Sequence, residues 1–406
     1  MTTGVVVTGL GLVTAAGVGT EPTWRAVCAG ESAAATDPAL AGLPVDFSCR
    51  VPEFDTRALL GRRANLQYDR FVQLGLIAAQ EAVTDAGLDP ATWDGARVGV
   101  VVGCGVGGAG TWETEHRKFR DDGPDTVSSL MMPMLIPNMA AGHLGIRFHA
   151  TGPNLVTATA CASGATAIGV ARDMLRQGVC DIVLAGGTEA AVVPLIVTGF
   201  SRMRALSTRG DAPAAASRPF DTDRDGFVIG EGSGILVLER ADHAEARGAR
   251  VRARLVGYGA SADAYHATAP DPSGTGVERA IRAALADAGA APSDVDHVHA
   301  HGTSTPLNDL SEARVLTRCL GHGPAVTSSK GVLGHTLGAA GAIGAALTVL
   351  TLENGLIPPT ANLESQDPEI EIDVVAHEPR RSRVDLALAN SFGFGGQNAV
   401  LAFAAG

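Results

Sequence analysis

The stretch "NLVTATACASGATAIGVARDML", Asn154–Leu175, carries the strongest clue to the fold. A short strand-like run ends at Cys161, small residues follow, and an apolar pattern at helical spacing comes next. A helix N-terminus favours a thiolate, which is the reactive form of cysteine. Free cysteine is also among the most often buried residue types. Taken alone, the stretch therefore leaves open a nucleophile and a structural cysteine.

The same kind of stretch occurs a second time in the chain. Cys161–Leu175 resembles "HTLGAAGAIGAALTVL", His335–Leu350, which places Cys161 and His335 at matching positions. Three further pairs of segments follow in the same order: Gly4–Gly11 with Ala253–Ser261, Arg97–Gly105 with Asp294–Thr303, and Asp181–Val193 with Asp385–Val400. Such internal similarity indicates a duplicated unit. A single doubly wound domain with chance similarity is the alternative.

Apolar strand runs alternate with helical patterns in both parts of the chain, as in Gln73–Leu88 and Gly276–Ala290. This alternation predicts an α/β fold of two βαβαβαββ halves, residues 1–250 and 251–406. Short strands that are apolar throughout need cover on both faces. We therefore expect five layers, αβαβα, with the halves packed around a central helical layer.

Composition narrows the class of protein. The 406 residues are 46% hydrophobic but only 4% aromatic, and they include 51 glycines, which predicts a core of aliphatic and small residues. A net charge of −12 argues against nucleic-acid binding. The chain has no uninterrupted apolar run of ~18 residues and no signal-peptide start, so we expect no membrane segment. Six cysteines without a CxxC pair favour free thiols in the cytoplasm and no zinc site.

Two motifs supply histidines and a cation. In "HVHAHGTSTPLND", His297–Asp309, a predicted strand ends at His301, and neutral histidine donates hydrogen bonds to developing oxyanions. The hydroxyls of Thr303 and Thr305 follow on a polar turn. In "SSKGVLGHTLGAAGAIG", Ser328–Gly344, Lys330 lies five residues before His335, and Asp309 is a candidate partner for Lys330. A capped strand-end turn and a surface lysine are the structural alternatives.

The last motif, "NSFGFGGQN", Asn390–Asn398, places Phe392 and Phe394 on a glycine-rich turn after an apolar strand. Backbone N–H groups of such a turn can form part of an oxyanion hole, and flanking glycines can serve as hinges of a gate. A β-turn with two core aromatics is the alternative. Together the four motifs supply a nucleophile, two histidines, a cation and a donor turn, which suits acyl transfer through a thioester.

Through these motifs the chain resembles the β-ketoacyl-[acyl-carrier-protein] synthases of the thiolase superfamily. It is most similar to the elongating synthase II group, which includes ketosynthases of type II polyketide pathways. The resemblance runs through the whole chain in six segments: "TATACASG", "SRPFDTDRDGFVIGEGSGILVLE", "DAYHATAP", "HGTSTP", "GHTLGAAGA" and "NSFGFGGQN".

This resemblance implies a thiolase-like fold and a centre made of Cys161, His301 and His335. Cys161 would accept an acyl chain from acyl carrier protein, and the histidines would stabilise the enolate left when a malonyl group loses carbon dioxide. Lys330 would orient or polarise His335, with Asp309 in support. The N–H groups of Cys161 and Phe394 would form the oxyanion hole, with Phe392 and Phe394 at the gate.

The resemblance also implies partners. Thr303 and Thr305 would contact the phosphopantetheine arm, so no separate cofactor is expected. The carrier protein is acidic, and the candidate docking residues are Arg62, Arg63, Arg202, Arg204, Arg209 and Thr268. The family is dimeric, so Leu155–Ala160 and Met131–Gly145 are expected at an interface with a second copy or a chain-length factor.

Two positions depart from the family pattern. Gly344 stands where the family has a glutamate that helps hold the lysine and a cation, so no metal is predicted. Asn308 stands where fatty-acid enzymes often have glycine, which leaves fatty-acid and polyketide pathways both open. Three other classes of protein match the sequence less well. A chain-length factor typically lacks the cysteine, a degradative thiolase needs a second cysteine near the C-terminus, and a CoA-dependent starter synthase has asparagine at the second histidine.

Overall fold

The computed structural model describes residues 4–406, and fifteen strands lie within that range. They are β1 Val5–Thr14, β2 Gly17–Val18, β3 Ala35–Thr36, β4 Phe47–Ser48, β5 Val98–Gly103, β6 Asn154–Thr157, β7 Ile182–Glu189, β8 Gly232–Arg240, β9 Ala253–Ala262, β10 His297–His299, β11 Ala325–Thr327, β12 Leu356–Ile357, β13 Arg380–Arg381, β14 Leu386–Gly393 and β15 Gln397–Ala405.

Fourteen α-helices accompany these strands in the described range. They are α1 Thr20–Ala29, α2 Thr56–Leu60, α3 Ala64–Gln67, α4 Arg70–Asp85, α5 Ala109–Asp122, α6 Met131–Leu135, α7 Met139–Phe148, α8 Ser163–Arg176, α9 Pro194–Arg202, α10 Ala241–Ala246, α11 Thr275–Ala288, α12 Pro306–Cys319, α13 Lys330–Leu333 and α14 Ala340–Asn354.

The strand order repeats, as the duplication predicts. The first half runs β1-β8-β7-β5-β6 and the second runs β9-β15-β14-β10-β11. In both halves the order along the sheet is first, fifth, fourth, second and third in the chain. A short antiparallel pairing, Val6 with Arg254 and Val7 with Ala253, joins β1 to β9. With β2 paired to β1, the hydrogen bonds therefore connect both halves into one sheet of eleven strands.

Side chains alternate between two cores along each central strand. In β7, Val183 and Ala185 belong to the core that contains α8 and α14, whereas Ile182 and Leu184 pack with α4 and α7. Leu386–Ala389 alternates in the same way between the central core and the one formed with α11 and α12. A strand buried on both faces needs a helical layer on each side. The predicted αβαβα arrangement is therefore confirmed.

Glycines allow α8 and α14 to cross with their backbones in contact. A Cβ atom on Gly164 would lie 2.8 Å from the backbone nitrogen of Ala342, and one on Gly341 would lie 2.8 Å from that of Ala165. The reciprocity identifies Gly164 and Gly341 as equivalent positions of the two halves. Any larger residue at either position would separate the helices.

This crossing corrects one predicted correspondence. Because Gly164 matches Gly341, the residue equivalent to Cys161 is Gly338. His335, which the sequence pairs with Cys161, lies three residues before that position. Ala160 and Leu337, both with φ of 48°, occupy the same place at the start of each helix. The sequence predicts a register one helical turn out because small residues recur throughout the first turns of both helices.

The central helix is unusually apolar. By length and composition alone, Leu337–Asn354 is able to span a bilayer, but 83% of that stretch is buried inside the protein. Its apolar character therefore reflects its place between the two halves of the sheet.

Candidate active site

Cys161 lies on a strained turn between β6 and α8. The preceding residue, Ala160, has φ of 48°, a conformation that residues other than glycine seldom adopt. Ser163 holds the turn: its Oγ donates to the carbonyl of Ala160 at 2.6 Å and accepts the N–H of Thr159 at 2.9 Å. Strain of this kind persists where surrounding bonds enforce it, and it marks functional turns.

The turn after β14 lies directly against Cys161. A Cβ atom on Gly393 would be 2.3 Å from the carbonyl oxygen of Thr159 and 3.2 Å from the nitrogen of Cys161. Glycine is therefore needed for this approach. It brings the N–H of Phe394 to the sulfur, where this group and the N–H of Cys161 itself favour the thiolate and lower its pKa.

The resting state of Cys161 is the protonated thiol. Burial raises its pKa to about 11, and the charge of Glu189 acts in the same direction. The charge of Lys330 and the two N–H groups oppose that rise. The side chain remains 9% exposed, at the floor of a cavity.

His301 follows β10 and is fixed through its backbone. Glu312, on α12, accepts the N–H groups of His301 and Gly302, both at 2.8 Å. The ring of Phe392 packs against the His301 ring with centroids 5.5 Å apart. Burial, the charge of Lys330 and the neighbouring His335 hold the pKa of His301 well below its usual range, so its imidazole is neutral.

His335 is also a neutral imidazole, because burial and the charge of Lys330 lower its pKa well below the usual value. Its Nδ1 accepts the N–H of Leu337 at 3.3 Å. A neutral ring that accepts at Nδ1 carries its proton on Nε2, which leaves Nε2 as a donor. The rings of His335 and His301 lie nearly perpendicular, with centroids 5.5 Å apart.

Lys330 is buried, and its Nζ donates to the carbonyl oxygen of His301. Its pKa falls to about 8 because burial penalises the charged form more than Glu312, Cys161 and Asp309 favour it. Among residues 4–406 no hydrogen bond joins Lys330 to the His335 ring, and the lysine acts on that ring through its charge. Its hydrogen bond holds the strand end that carries His301, and its charge adds to burial in keeping both imidazoles neutral.

Asp309, the predicted partner of Lys330, acts on the lysine through its charge, which favours the protonated amine, while its hydrogen bonds go elsewhere. Its carboxylate accepts the N–H groups of Thr303 at 2.9 Å, Ser304 at 3.1 Å and Phe220 at 2.9 Å. No ion pair within 4 Å links it to Lys330 among residues 4–406. It therefore stabilises the polar turn. The carboxylate that most strongly favours the charged lysine is Glu312, three residues later on the same helix and not predicted.

Cys161 and the two histidines line one cavity of about 430 Å³, whereas Lys330 and Asp309 are not among its lining residues. It contains the predicted Cys161, His301, His335, Thr303, Thr305, Phe392, Phe394, Arg204 and Thr268. The hydroxyls of Thr303 and Thr305 are 2.8 Å apart on its wall. Phe200 and Phe227, which the motifs did not single out, form an aromatic wall with rings 5.4 Å apart, and Phe227 contacts the His335 ring at 5.1 Å.

The predicted docking residues are not all at this cavity. Arg202 and Arg204 are exposed at the end of α9, next to the mouth. Arg209 donates to the carbonyl of Asp223 at 2.7 Å and lies 4.0 Å from Asp225, so it is engaged within its own loop. Arg62 and Arg63 are exposed beside α3 and do not line the cavity.

Comparison with known proteins identifies the family. Residues 2–244 match the model of the β-ketoacyl synthase N-terminal domain, and residues 252–364 match that of the C-terminal domain. The chain belongs to the β-ketoacyl synthase family. Among its relatives is the 3-oxoacyl-[acyl-carrier-protein] synthase 2 of Synechocystis sp., 45% identical over 98% of this chain and 97% of the relative. The enzyme of that name from Vibrio cholerae is 41% identical over 98% of both chains.

Solved structures of β-ketoacyl synthases agree. The ishigamide ketosynthase/chain length factor superposes with a TM-score of 0.93 at 34% identity, covering all of both chains. A type II polyketide ketosynthase in complex with its acyl-carrier protein, bound to a hexaketide, gives 0.91 at 33% identity over the same coverage. Like these relatives, the chain is a condensing enzyme of the acyltransferase class.

Two predictions for this synthase concern Gly344 and a metal ion. At Gly344, where the family pattern has glutamate, the ring of His299 fills the space beside the α-carbon. No group of three His, Cys, Asp or Glu side chains within residues 4–406 is arranged to hold a metal ion. That the enzyme uses no metal stays a prediction.

Proposed function

We propose that the protein elongates acyl chains by decarboxylative Claisen condensation with malonyl-[acyl-carrier-protein], in type II fatty-acid or polyketide biosynthesis. The observation that carries this proposal is the meeting of a thiol at a helix start with two neutral imidazoles in one buried cavity. The proposed reaction needs no cofactor beyond the phosphopantetheine arm of its substrates.

In the first half-reaction, the sulfur of Cys161 attacks the thioester carbonyl of the incoming acyl group. The carbonyl oxygen becomes an oxyanion that accepts hydrogen bonds from the N–H groups of Cys161 and Phe394. The proton of the Cys161 thiol passes to the departing carrier sulfur, which leaves as a thiol, and the acyl chain stays on Cys161. Because burial raises the thiol pKa to about 11, the free thiolate is scarce until a substrate occupies the site.

In the second half-reaction, the malonyl C–C bond to the carboxylate breaks and carbon dioxide leaves. The electron pair moves onto the thioester oxygen, which accepts hydrogen bonds from His301 and from Nε2 of His335. Neutral donors suit this step, because they stabilise the enolate without protonating it. The enolate carbon attacks the acyl carbonyl on Cys161, the sulfur leaves, and the β-ketoacyl chain remains on the carrier.

The proposal extends to partners. Arg202, Arg204 and Thr268 at the cavity mouth are the favoured contacts for an acidic carrier protein, since the enzyme itself has a net charge of −12 and needs a local basic site. Arg62 and Arg63 remain docking candidates from a second subunit. The six unpaired cysteines fit a cytoplasmic enzyme.

A dimer is part of the same proposal. Strand β6 is the free edge of the first half-sheet, and Leu155 on it is 46% exposed. Trp112, Phe119 and Met132, on α5 and α6, are also exposed. An unpaired, apolar edge strand is a template for pairing with another chain. The partner is a second copy or a chain-length factor, the two assemblies that the sequence left open.

Assays with malonyl- and acyl-carrier protein test this proposal. Cys161→Ala and Cys161→Gln are expected to lose acylation and condensation. His301→Ala and His335→Ala are expected to lose malonyl decarboxylation but to keep some acylation of Cys161. Decarboxylation at the wild-type rate in either histidine variant would remove that histidine from the mechanism. A wild-type enzyme that never acylates Cys161 would favour the non-catalytic chain-length-factor class instead.

A further inference from the structure

We infer that His299 is a positioning residue for Lys330 and that Gly344 is the position that admits its ring. The inference rests on the proposed function, because it concerns the decarboxylation centre built around Lys330 and His301. It adds a residue to that centre through contacts specific to this chain.

His299 is the last residue of β10, and His301 follows two residues later, beyond the end of the strand. Its ring is 5% exposed, and its Nε2 lies 3.1 Å from the Oγ of Ser329. Ser329 immediately precedes Lys330. Its carbonyl accepts the N–H of Leu333 at 2.9 Å, which closes the short helix α13. The histidine therefore anchors the turn from which Lys330 projects.

Two further bonds complete the attachment of this turn to the strand end. Lys330 Nζ donates to the carbonyl of His301, and Ser328 Oγ donates to the carbonyl of Gly302 at 2.7 Å. Residues 299–302 and 328–330 are thus joined by three successive side-chain bonds. Loss of the first would free the turn at one end and allow Lys330 to shift relative to His301.

Gly344 on α14 backs the His299 ring. A Cβ atom there would lie 2.9 Å from Nδ1 of His299 and 3.0 Å from its Cε1. The ring cannot move aside without losing its bond to Ser329. Any side chain larger than that of glycine at residue 344 would therefore have to displace the ring.

The exchange also alters the local charge. Burial and the charge of Lys330 lower the pKa of His299 to about 3, so the ring is neutral. This synthase therefore places a neutral hydrogen-bonding ring beside the lysine turn, where the family pattern has a carboxylate. The Ser329 contact, a hydrogen bond between uncharged groups, does the holding.

The first experiment compares His299→Asn, Ser329→Ala and the double variant. We expect malonyl decarboxylation to fall about tenfold in each single variant, since small displacements of catalytic groups reduce rates strongly. Acylation of Cys161 is expected to persist. The double variant should be no slower than the slower single variant, because both remove one bond.

His297→Asn is the matched control. His297 is buried on the same face of β10, but neither ring nitrogen has a hydrogen-bond partner within the described residues. Its replacement should leave the ratio of decarboxylation to acylation unchanged. Equal loss in His297→Asn and His299→Asn, or full decarboxylation in His299→Asn, would overturn the inference.

The second experiment does not depend on catalysis. Gly344→Ala should lower the melting temperature, and adding His299→Ala to it should raise that temperature again, whereas His299→Ala alone should lower it. The reversal of sign follows from the clash between Cβ and the ring. If His299→Ala lowers the melting temperature equally in both backgrounds, the pairing is wrong. Failure of the wild type to condense would refute the proposed function. The melting temperatures would still test the contact between His299 and Gly344.

Discussion

Gly393→Ala tests the oxyanion hole with a single methyl group. The Cβ atom would lie 2.3 Å from the carbonyl oxygen of Thr159, against 3.4 Å for ordinary contact, so the two segments must separate by about 1.1 Å. Gly393 does not have a positive φ, so alanine meets no backbone strain of its own there. The displacement falls on the next residue, Phe394, whose N–H faces the sulfur of Cys161.

The expected effect on the reaction is large. Removal of one oxyanion donor lowers kcat by about 10²–10³-fold, and misplacement by about 1 Å lowers rates by about 10²-fold. We therefore expect acyl transfer to Cys161 to slow about 100-fold, which corresponds to about 2.7 kcal/mol in the barrier. The clash should also destabilise the fold by about 1–3 kcal/mol.

The assay is single-turnover acylation of Cys161 by acyl-carrier protein, measured by intact mass, with thermal unfolding followed in parallel. Gly199→Ala is the matched control, because Gly199 lies on α9 near the cavity and a Cβ atom there meets nothing within 4 Å. If Gly393→Ala folds and acylates within about threefold of the wild type, well short of the loss expected for one oxyanion donor, the assignment of the Phe394 N–H is wrong.

Three further outcomes are expected. Glu312→Gln should lower the pKa of Lys330, because the carboxylate favours the charged amine; the alkaline limb of the pH profile for malonyl decarboxylation should therefore move to lower pH, and an unmoved limb would count against this role. Iodoacetamide should modify Cys161 faster as pH rises beyond 9, and Lys330→Met should slow that reaction below pH 8 but less above it, where wild-type Lys330 loses its proton. Leu155→Arg should shift the protein from dimer to monomer in size-exclusion chromatography, and an unchanged elution volume would exclude the β6 edge as the interface.

The fold could be predicted because its signals are repeated and local. Alternating strands and helices that recur in the same order predict two similar halves and their layered arrangement. The register between the halves could not be predicted, since α8 and α14 are both rich in small residues and match nearly as well one turn apart. The reciprocal approach of Gly164 to Ala342 and of Gly341 to Ala165 decides it.

The site was predicted where a motif contains the reacting atom, as at Cys161, His301 and His335. Residues outside the motifs that position these groups were not predicted. Glu312 follows Asp309 by three residues, and the i, i+3 spacing puts both carboxylates on one helix face. The spacing alone does not indicate that Asp309 accepts the N–H groups of the polar turn. Nor does it indicate that Glu312 accepts those of the strand end and favours the charged form of Lys330.

Duplication explains why the centre forms where it does. Each half supplies a helix that is preceded, three residues earlier, by a residue with φ of 48°, and the glycine crossing brings those two helix starts together. Glu189 ties them further, since its carboxylate accepts the N–H of Gly105 from the first half at 2.7 Å and of Gly338 from the second at 3.2 Å. The same carboxylate raises the pKa of the Cys161 thiol, whereas Lys330 lowers it. Burial is the main cause of the raised pKa of Cys161, and the charges of Glu189 and Lys330 act on that pKa in opposite directions, so the carboxylate that joins the two halves also adds to the rise.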